Sequence, residues 1–125
     1  MSGRAEDLPR SWLRIPLELV ADIQMGQSPP GVATNSSGEG VPLIGGAADL
    51  VLDKPAAQRF TTAPTKICSP GDLIVCIRAT IGKCVFSDGQ YCLGRGVAGL
   101  TGRHVDSGWL YFLMRQSENE IQALG

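Results

Sequence analysis

The chain has 125 residues, 43% of them hydrophobic and 18% charged, with 16 Gly, 8 Pro and 4 Cys, which suits one domain over residues 1–125 with a real core and many turns. Eleven Lys and Arg against 12 Asp and Glu leave a formal charge of −1; this argues against nucleic-acid binding through bulk charge, and the apolar runs are too short for a membrane span. Residues 1–7 lack an apolar signal-peptide core, so the expected compartment is the cytoplasm, where the four Cys are read as reduced thiols.

In chain order, Trp12, Ile15 and Leu17 suit a short first strand, residues 18–22 one or two helical turns, and Ile23, Gln24 and Met25 a second strand. Residues 26–40 have no apolar periodicity and are dense in loop formers. A loop of that size in a compact domain is either functional or a mobile insertion. Its hydrogen-bonding side chains are Gln27, Ser28, Thr34, Asn35 and Ser36. Residues 41–44 read as a strand, with Pro42 favouring an edge or a strand start because it has no N–H for the ladder, and Gly45 and Gly46 end it. Residues 47–70 are mixed and polar, carry Lys54, Arg59 and Lys66, and give a strand signal only at Arg59, Phe60 and Thr61.

Pro70, Gly71 and Asp72 set a turn. Three short apolar, β-branched runs follow, residues 73–77, 83–87 and 97–100, separated by turn clusters around Gly82, Asp88 with Gly89, and Gly94 to Gly96; they read as consecutive strands of one sheet. Asp106, Ser107 and Gly108 resemble a helix start, and Leu110, Leu113 and Met114 recur at helical spacing, so the first two turns are expected to pack on the sheet. Residues 117–120 read as a break and a second N-cap before residues 121–124. The connections between neighbouring strands are too short for parallel crossovers. The expected fold is therefore α+β, a twisted, mainly antiparallel sheet with a few short helices.

Three chemical readings compete with bland ones. Cys68, Cys76, Cys84 and Cys92 fall at every eighth position, and a turn near Thr80 would set Cys76 opposite Cys84, with Cys92 beside them. The spacing lacks paired zinc knuckles, however, and buried Cys as a small hydrophobe is the preferred reading, with no metal expected. The glycines at 94, 96 and 99 match a dinucleotide-binding pattern, but glycine and polar residues follow where a helix is required, so they are read as strand and bulge geometry. His104 near Asp106 lacks the positioned base and electropositive surroundings that Cys-His catalysis needs. Arg78 and Arg95 each punctuate apolar sheet sequence and need a partner: an ion pair with Asp72 or Asp88, or a nucleic acid gripped by the planar guanidinium. For Arg95 the structural role is preferred, since its Gly flanks suggest close backbone packing.

The strongest signal is an ordered series of short pieces. Leu8, Pro9, Trp12 and Leu17 come first, then Gly26 with Pro29, then Gly40, Val41, Pro42, Leu43 and Ile44. Gly71 to Val75, Arg78 to Gly82, Cys92 to Leu100 and finally Trp109 to Leu113 complete it. In that order they resemble the target-recognition domain of the specificity subunit of type I restriction-modification systems, over nearly the whole chain. The resemblance implies sequence-specific binding of double-stranded DNA with no cofactor and no active site in this chain. Methyltransferase (modification) subunits and a motor-nuclease subunit would carry the chemistry, and a second recognition domain would come from another chain, since specificity subunits usually hold two such domains joined by long helices. On this reading the neutral loop groups Gln27, Ser28, Thr34, Asn35 and Ser36 read bases, and Lys54, Arg59, Lys66, Arg78 and Lys83 contact the DNA as charges. The alternatives are a recognition domain detached from a fused restriction-methyltransferase and, in a different class, a small Cys-containing zinc protein or enzyme.

Overall fold

The computed structural model describes residues 20–78, 80–103 and 105–124. The expected first strand at Trp12 to Leu17 and His104 lie outside them. Among the described residues the chain forms eleven strands and one α-helix: β1 Ala21–Met25, β2 Thr34–Asn35, β3 Val41–Ile44, β4 Leu50–Val51, β5 Lys54–Pro55, β6 Arg59–Thr61, β7 Ile67–Cys68, β8 Leu73–Cys76, β9 Cys84–Phe86, β10 Tyr91–Leu93, β11 Val97–Gly102 and α1 Ser107–Leu124. A four-stranded antiparallel sheet runs β1-β11-β8-β9, a five-stranded sheet runs β2-β6-β3-β10-β7, and β4 and β5 form a separate hairpin.

The four-stranded sheet is the middle layer. Because side chains alternate across a strand, β8 sends Leu73 and Val75 to one face and Ile74 and Cys76 to the other. The first pair packs with Ala21, Cys84, Leu100 and the helix residues Leu110 and Met114. The second packs with Ile44, Val85, Leu93 and Val97, which belong to or face the five-stranded sheet. All four β8 residues are buried, so the strand reads as an unbroken apolar run, as a doubly covered strand must.

The expected α+β fold is present, with corrections that each have a physical cause. Of the residues read as helical turns, Val20 is helical and residues 18 and 19 are not described, whereas Ala21 and Asp22 belong to β1: all five β1 residues pair with β11, from Ala21 with Gly102 to Met25 with Ala98, and that pairing overrides local propensity. The three apolar runs do share one sheet, but β8 lies between β11 and β9, and an unanticipated strand, β10, departs to the other sheet. There β10 pairs in parallel with β3, Cys92 beside Leu43 and Leu93 beside Ile44. Short connections exclude parallel pairing only between sequence neighbours, and here the whole segment between β3 and β10 serves as the crossover. Pro42 stands near the start of an interior strand, at a position that β10 does not reach. Residues 117–120 do not interrupt α1, which continues to Leu124. None of them is Gly or Pro, and Ser, Asn and Glu cost at most about 0.7 kcal/mol each inside a helix. The start is as expected, with Asp106 Oδ1 accepting the Trp109 amide at 2.8 Å as an N-cap.

The register also disposes of the thiol cluster. Val75, not Cys76, stands opposite Cys84, and a one-residue offset puts a side chain on the other face. Cys84 therefore lies in the helix-side core and Cys76 in the core between the sheets, while Cys92 sits on β10 of the second sheet near the Thr65 hydroxyl, at 3.6 Å. All four Cys are buried. Burial pushes the Cys68 thiol above its ordinary value, which disfavours the thiolate that metal binding and nucleophilic attack require.

A candidate functional site lined by arginines

Three stretches of backbone converge where the two sheets meet. The Gly94 amide donates to the Ile44 carbonyl at 2.8 Å, and the Gly26 amide donates to the Val97 carbonyl at 3.0 Å. Contacts this close require residues without a Cβ: one built on Gly26 would lie 1.9 Å from the Gly94 oxygen, and one on Gly96 would lie 2.2 Å from the Gly45 oxygen. The glycine-rich turn between β10 and β11 is thereby pinned under the end of β3. Above it opens a cleft of about 750 Å3 with a floor of glycine backbone and walls carrying Ser28, Thr34, Arg59, Arg78 and Arg95.

The three arginines arrive from separate elements. Arg59 is on β6, Arg78 follows β8, and Arg95 lies in the turn after β10. The Ile77 amide donates to the Gly96 carbonyl at 3.0 Å, which joins the backbone before Arg78 to the turn that holds Arg95. A terminal nitrogen of Arg59 lies 2.8 Å from where a Gly45 Cβ would stand, so the bare glycine makes room for the guanidinium. All three side chains are exposed, and among the described residues none is in an ion pair. The carboxylates expected to pair with them are engaged elsewhere. Asp72 accepts from the Ser69 amide at 2.8 Å and the Thr101 hydroxyl at 2.9 Å, and Asp88 accepts from the Tyr91 hydroxyl; Asp49, not among the expected partners, is buried near Arg59 and accepts from the Gly45 amide at 2.8 Å without forming an ion pair. The structural ion pair weighed for Arg95 is therefore absent among the described residues, whereas the close backbone packing expected of its Gly flanks is present; Arg95, left out of the expected DNA contacts, lines the cleft. The sequence signal was a cation between two glycines, and among the described residues no carboxylate forms an ion pair with it.

Residues 26–40 are ordered, contrary to the structureless reading. The Gln27 amide donates to the Leu93 carbonyl at 2.8 Å, and its carbonyl accepts the Thr65 hydroxyl. Gly31–Ala33 make a 3-10 turn, and β2 pairs with β6, Thr34 beside Thr61 and Asn35 beside Phe60. Two of the expected base-reading side chains serve the loop itself. Thr34 Oγ1 donates to the Pro30 carbonyl at 3.1 Å. Asn35 Oδ1 accepts from the amides of Ser37 and Glu39, both at 3.1 Å, and its Nδ2 donates to the Glu39 carbonyl at 2.9 Å. Gln27, Ser28 and Ser36 are exposed, and of these Ser28 reaches the cleft.

The expected cations divide. Arg59 and Arg78 meet in the cleft, whereas Lys54, Lys66 and Lys83 do not line it. Lys54 is exposed on the β4–β5 hairpin, Lys66 is half-buried beside β10, and the Lys83 ammonium donates to the Leu50 carbonyl at 3.4 Å. Three guanidiniums around a polar, glycine-floored depression can take phosphate oxygens or the acceptor edge of a guanine, each through paired N–H donors.

Comparisons with known proteins bear on the family and the fold. Over 95% of its length the chain is 31% identical to a protein of Methanocaldococcus jannaschii that carries the name type I restriction enzyme MjaX specificity subunit, of which it covers 29%. The HsdS subunit from Thermoanaerobacter tengcongensis superposes with a TM-score of 0.78 at 36% identity, over 83% of this chain and 27% of that one. A chain from a structure of the type I R-M system, solved for its assembly and conformational transition, matches with a TM-score of 0.79 at 36% identity, over 84% and 27%. The type I S subunit from M. genitalium, 15% identical, shares the fold, with a TM-score of 0.62. The chain thus spans less than a third of the length of these relatives. No protein-family model matches it. The resemblance read from the sequence is borne out, and the fold with it.

Proposed function

We propose, from its kinship with one domain-sized portion of type I restriction specificity subunits, that this chain is a DNA target-recognition module. It selects the sequence on which partner subunits methylate and cut. The observation that carries the proposal is the convergence of Arg59, Arg78 and Arg95, without ion-pair partners among the described residues, on one open cleft at the meeting of the sheets. A local cationic site of this kind answers the objection raised by a net charge of −1, because specific modules need only a few well-placed phosphate and base contacts when a larger complex supplies the rest. The module needs no cofactor and has no catalytic role. Its partners are double-stranded DNA, methyltransferase subunits, a motor-nuclease subunit and a second recognition domain, in the cytoplasm. Among the described residues no helix is long and apolar enough to cross a membrane.

The test is a salt titration of the assembled complex on its target and on a scrambled duplex, with Arg59→Ala, Arg78→Ala and Arg95→Ala. Loss of one phosphate contact lowers the slope of log affinity against log salt by about 0.9 on both duplexes. Loss of a guanine contact costs about 1–3 kcal/mol on the target alone. Three variants that bind both duplexes like the unaltered complex would refute the cleft as the DNA site. The lysines give a contrast: Lys83→Ala, outside the cleft, is expected to leave target preference unchanged.

A further inference from the structure

We infer that Val32, held at the apex of the ordered loop beside the arginine cleft, is the contact through which this chain reads the 5-methyl group of a thymine in its target. The inference rests on the DNA-recognition reading above and deepens it. A lone exposed apolar residue ordinarily needs no explanation; here position, rigidity and chemistry coincide. Val32 is fully exposed, more so than any other large apolar side chain described. Its neighbours in the same turn, Gly31 and Thr34, line the cleft that holds the three arginines. Val32 itself does not line the cleft but stands next to Gly31, which does, so it flanks a duplex whose phosphates or guanines engage that cleft.

The side chain is also presented without slack. Pro30 enters the turn in an extended conformation at φ −58° and ψ 135°. The Ala33 amide and the Thr34 hydroxyl both donate to the Pro30 carbonyl, at 3.0 and 3.1 Å, and the Thr62 amide donates to the Ala33 carbonyl at 3.0 Å. Valine adds a χ1 angle that is stiff by itself, so little freedom remains to be lost on contact. An isopropyl group has no donor or acceptor for base edges or phosphates. The apolar feature of the major-groove edge is the thymine methyl, and valine is shorter than the Phe, Leu, Ile and Met side chains that wedge between base steps. Residues 26–38 contain no Lys or Arg, so this loop contributes shape and neutral contacts while the arginines hold the backbone.

The experiment uses the assembled complex that carries this chain and its selected target duplex, with each thymine replaced in turn by uracil, which removes only the 5-methyl group. The unaltered complex is expected to lose about three- to five-fold in affinity at one such position, the scale of one buried methyl. Val32→Ala, whose removed atoms touch no core, is expected to bind the unmodified target with the same loss and to be indifferent to uracil at that position alone. Equal uracil sensitivity in Val32→Ala and the unaltered complex, or no sensitive position in a complex that still prefers its target, would overturn the assignment while leaving target recognition intact. A complex with no preference for any sequence would overturn target recognition itself, and the assignment with it.

Discussion

A methyl group on Gly96 would lie 2.2 Å from the Gly45 carbonyl oxygen, and that oxygen belongs to backbone that cannot swing aside. Gly96→Ala is therefore expected to destabilise the fold by about 1–3 kcal/mol, the range for overpacking, read as a lower urea midpoint at an unchanged slope. Tyr91 offers a second test at this scale. Its partial burial, and then its hydrogen bond to the Asp88 carboxylate, push its hydroxyl up to about 12. Because the folded state holds this proton more tightly than an unfolded tyrosine near 10 does, the contribution is complete below about pH 10 and fades as pH rises towards 12. Absorbance titration at tyrosinate wavelengths should show a late-ionising group that is missing in Tyr91→Phe and moves to lower pH in Asp88→Asn; an unmoved midpoint in Asp88→Asn would refute the assigned cause. Residue types were legible in the sequence at this scale, and their engagements were not. Asp72 looked as free to pair with Arg95 as Thr101 did to remain solvated, yet those two bond to each other at 2.9 Å, because antiparallel pairing sets Leu100 beside Leu73.

The loop of residues 26–40 and helix α1 show how an element's order depends on a few side chains. Asn35 satisfies two amides and a carbonyl over five residues, so Asn35→Ala should accelerate hydrogen exchange at the Ser37 and Glu39 amides while leaving that of the β8 amides unchanged. Any loss of DNA discrimination in that variant then follows from loop disorder, and equal exchange in both proteins would return Asn35 to the role of a base reader. In α1, Met114 is fully buried against the middle sheet. Met114→Ala should cost about 2–5 kcal/mol, whereas Phe112→Ala, at an exposed position of the same helix, should cost little; similar thermal shifts for the two would mean that the helix packs otherwise. Strands β3, β6, β8, β9 and β11 and the start of α1 were readable because each has its own apolar pattern or cap. Strand β10 was not, since it runs straight into the glycine-rich turn at Gly94 to Gly96 and its partners β3 and β7 are remote in sequence. The end of α1 escaped for the opposite reason: Ser117 and Asn119 carry a local preference for caps that a continuous helix tolerates.

For the whole molecule, the near-neutral charge and the cationic cleft are compatible because the charges are unevenly placed: three arginines share one cleft, and among the described residues no carboxylate forms an ion pair with them. If all three arginines meet phosphates, their share of the salt slope should be about −2.7, and a triple Ala variant whose slope matches that of the unaltered complex would exclude them as the DNA contact. The α+β class was legible from short runs and turn chemistry, and the cleft was not, because it is made by the crossing of β3 with the β10–β11 turn. That crossing also bears on when the site comes into being. Strand β10 has to enter between β3 and β7, which both precede it in the chain by long stretches, and pairings so distant in sequence form slowly because loop closure comes before any contact repays it. The Gly94 amide, bonded to Ile44 across this junction, should gain exchange protection later in refolding than the Cys76 amide, which donates to the Lys83 carbonyl at 2.8 Å within the β8–β9 hairpin. A nascent chain that has emerged only as far as Phe86 already carries Arg59, Arg78, Gly45 and Gly46, but neither the third arginine nor Gly94 and Gly96, so the cleft stays incomplete until synthesis has passed β11.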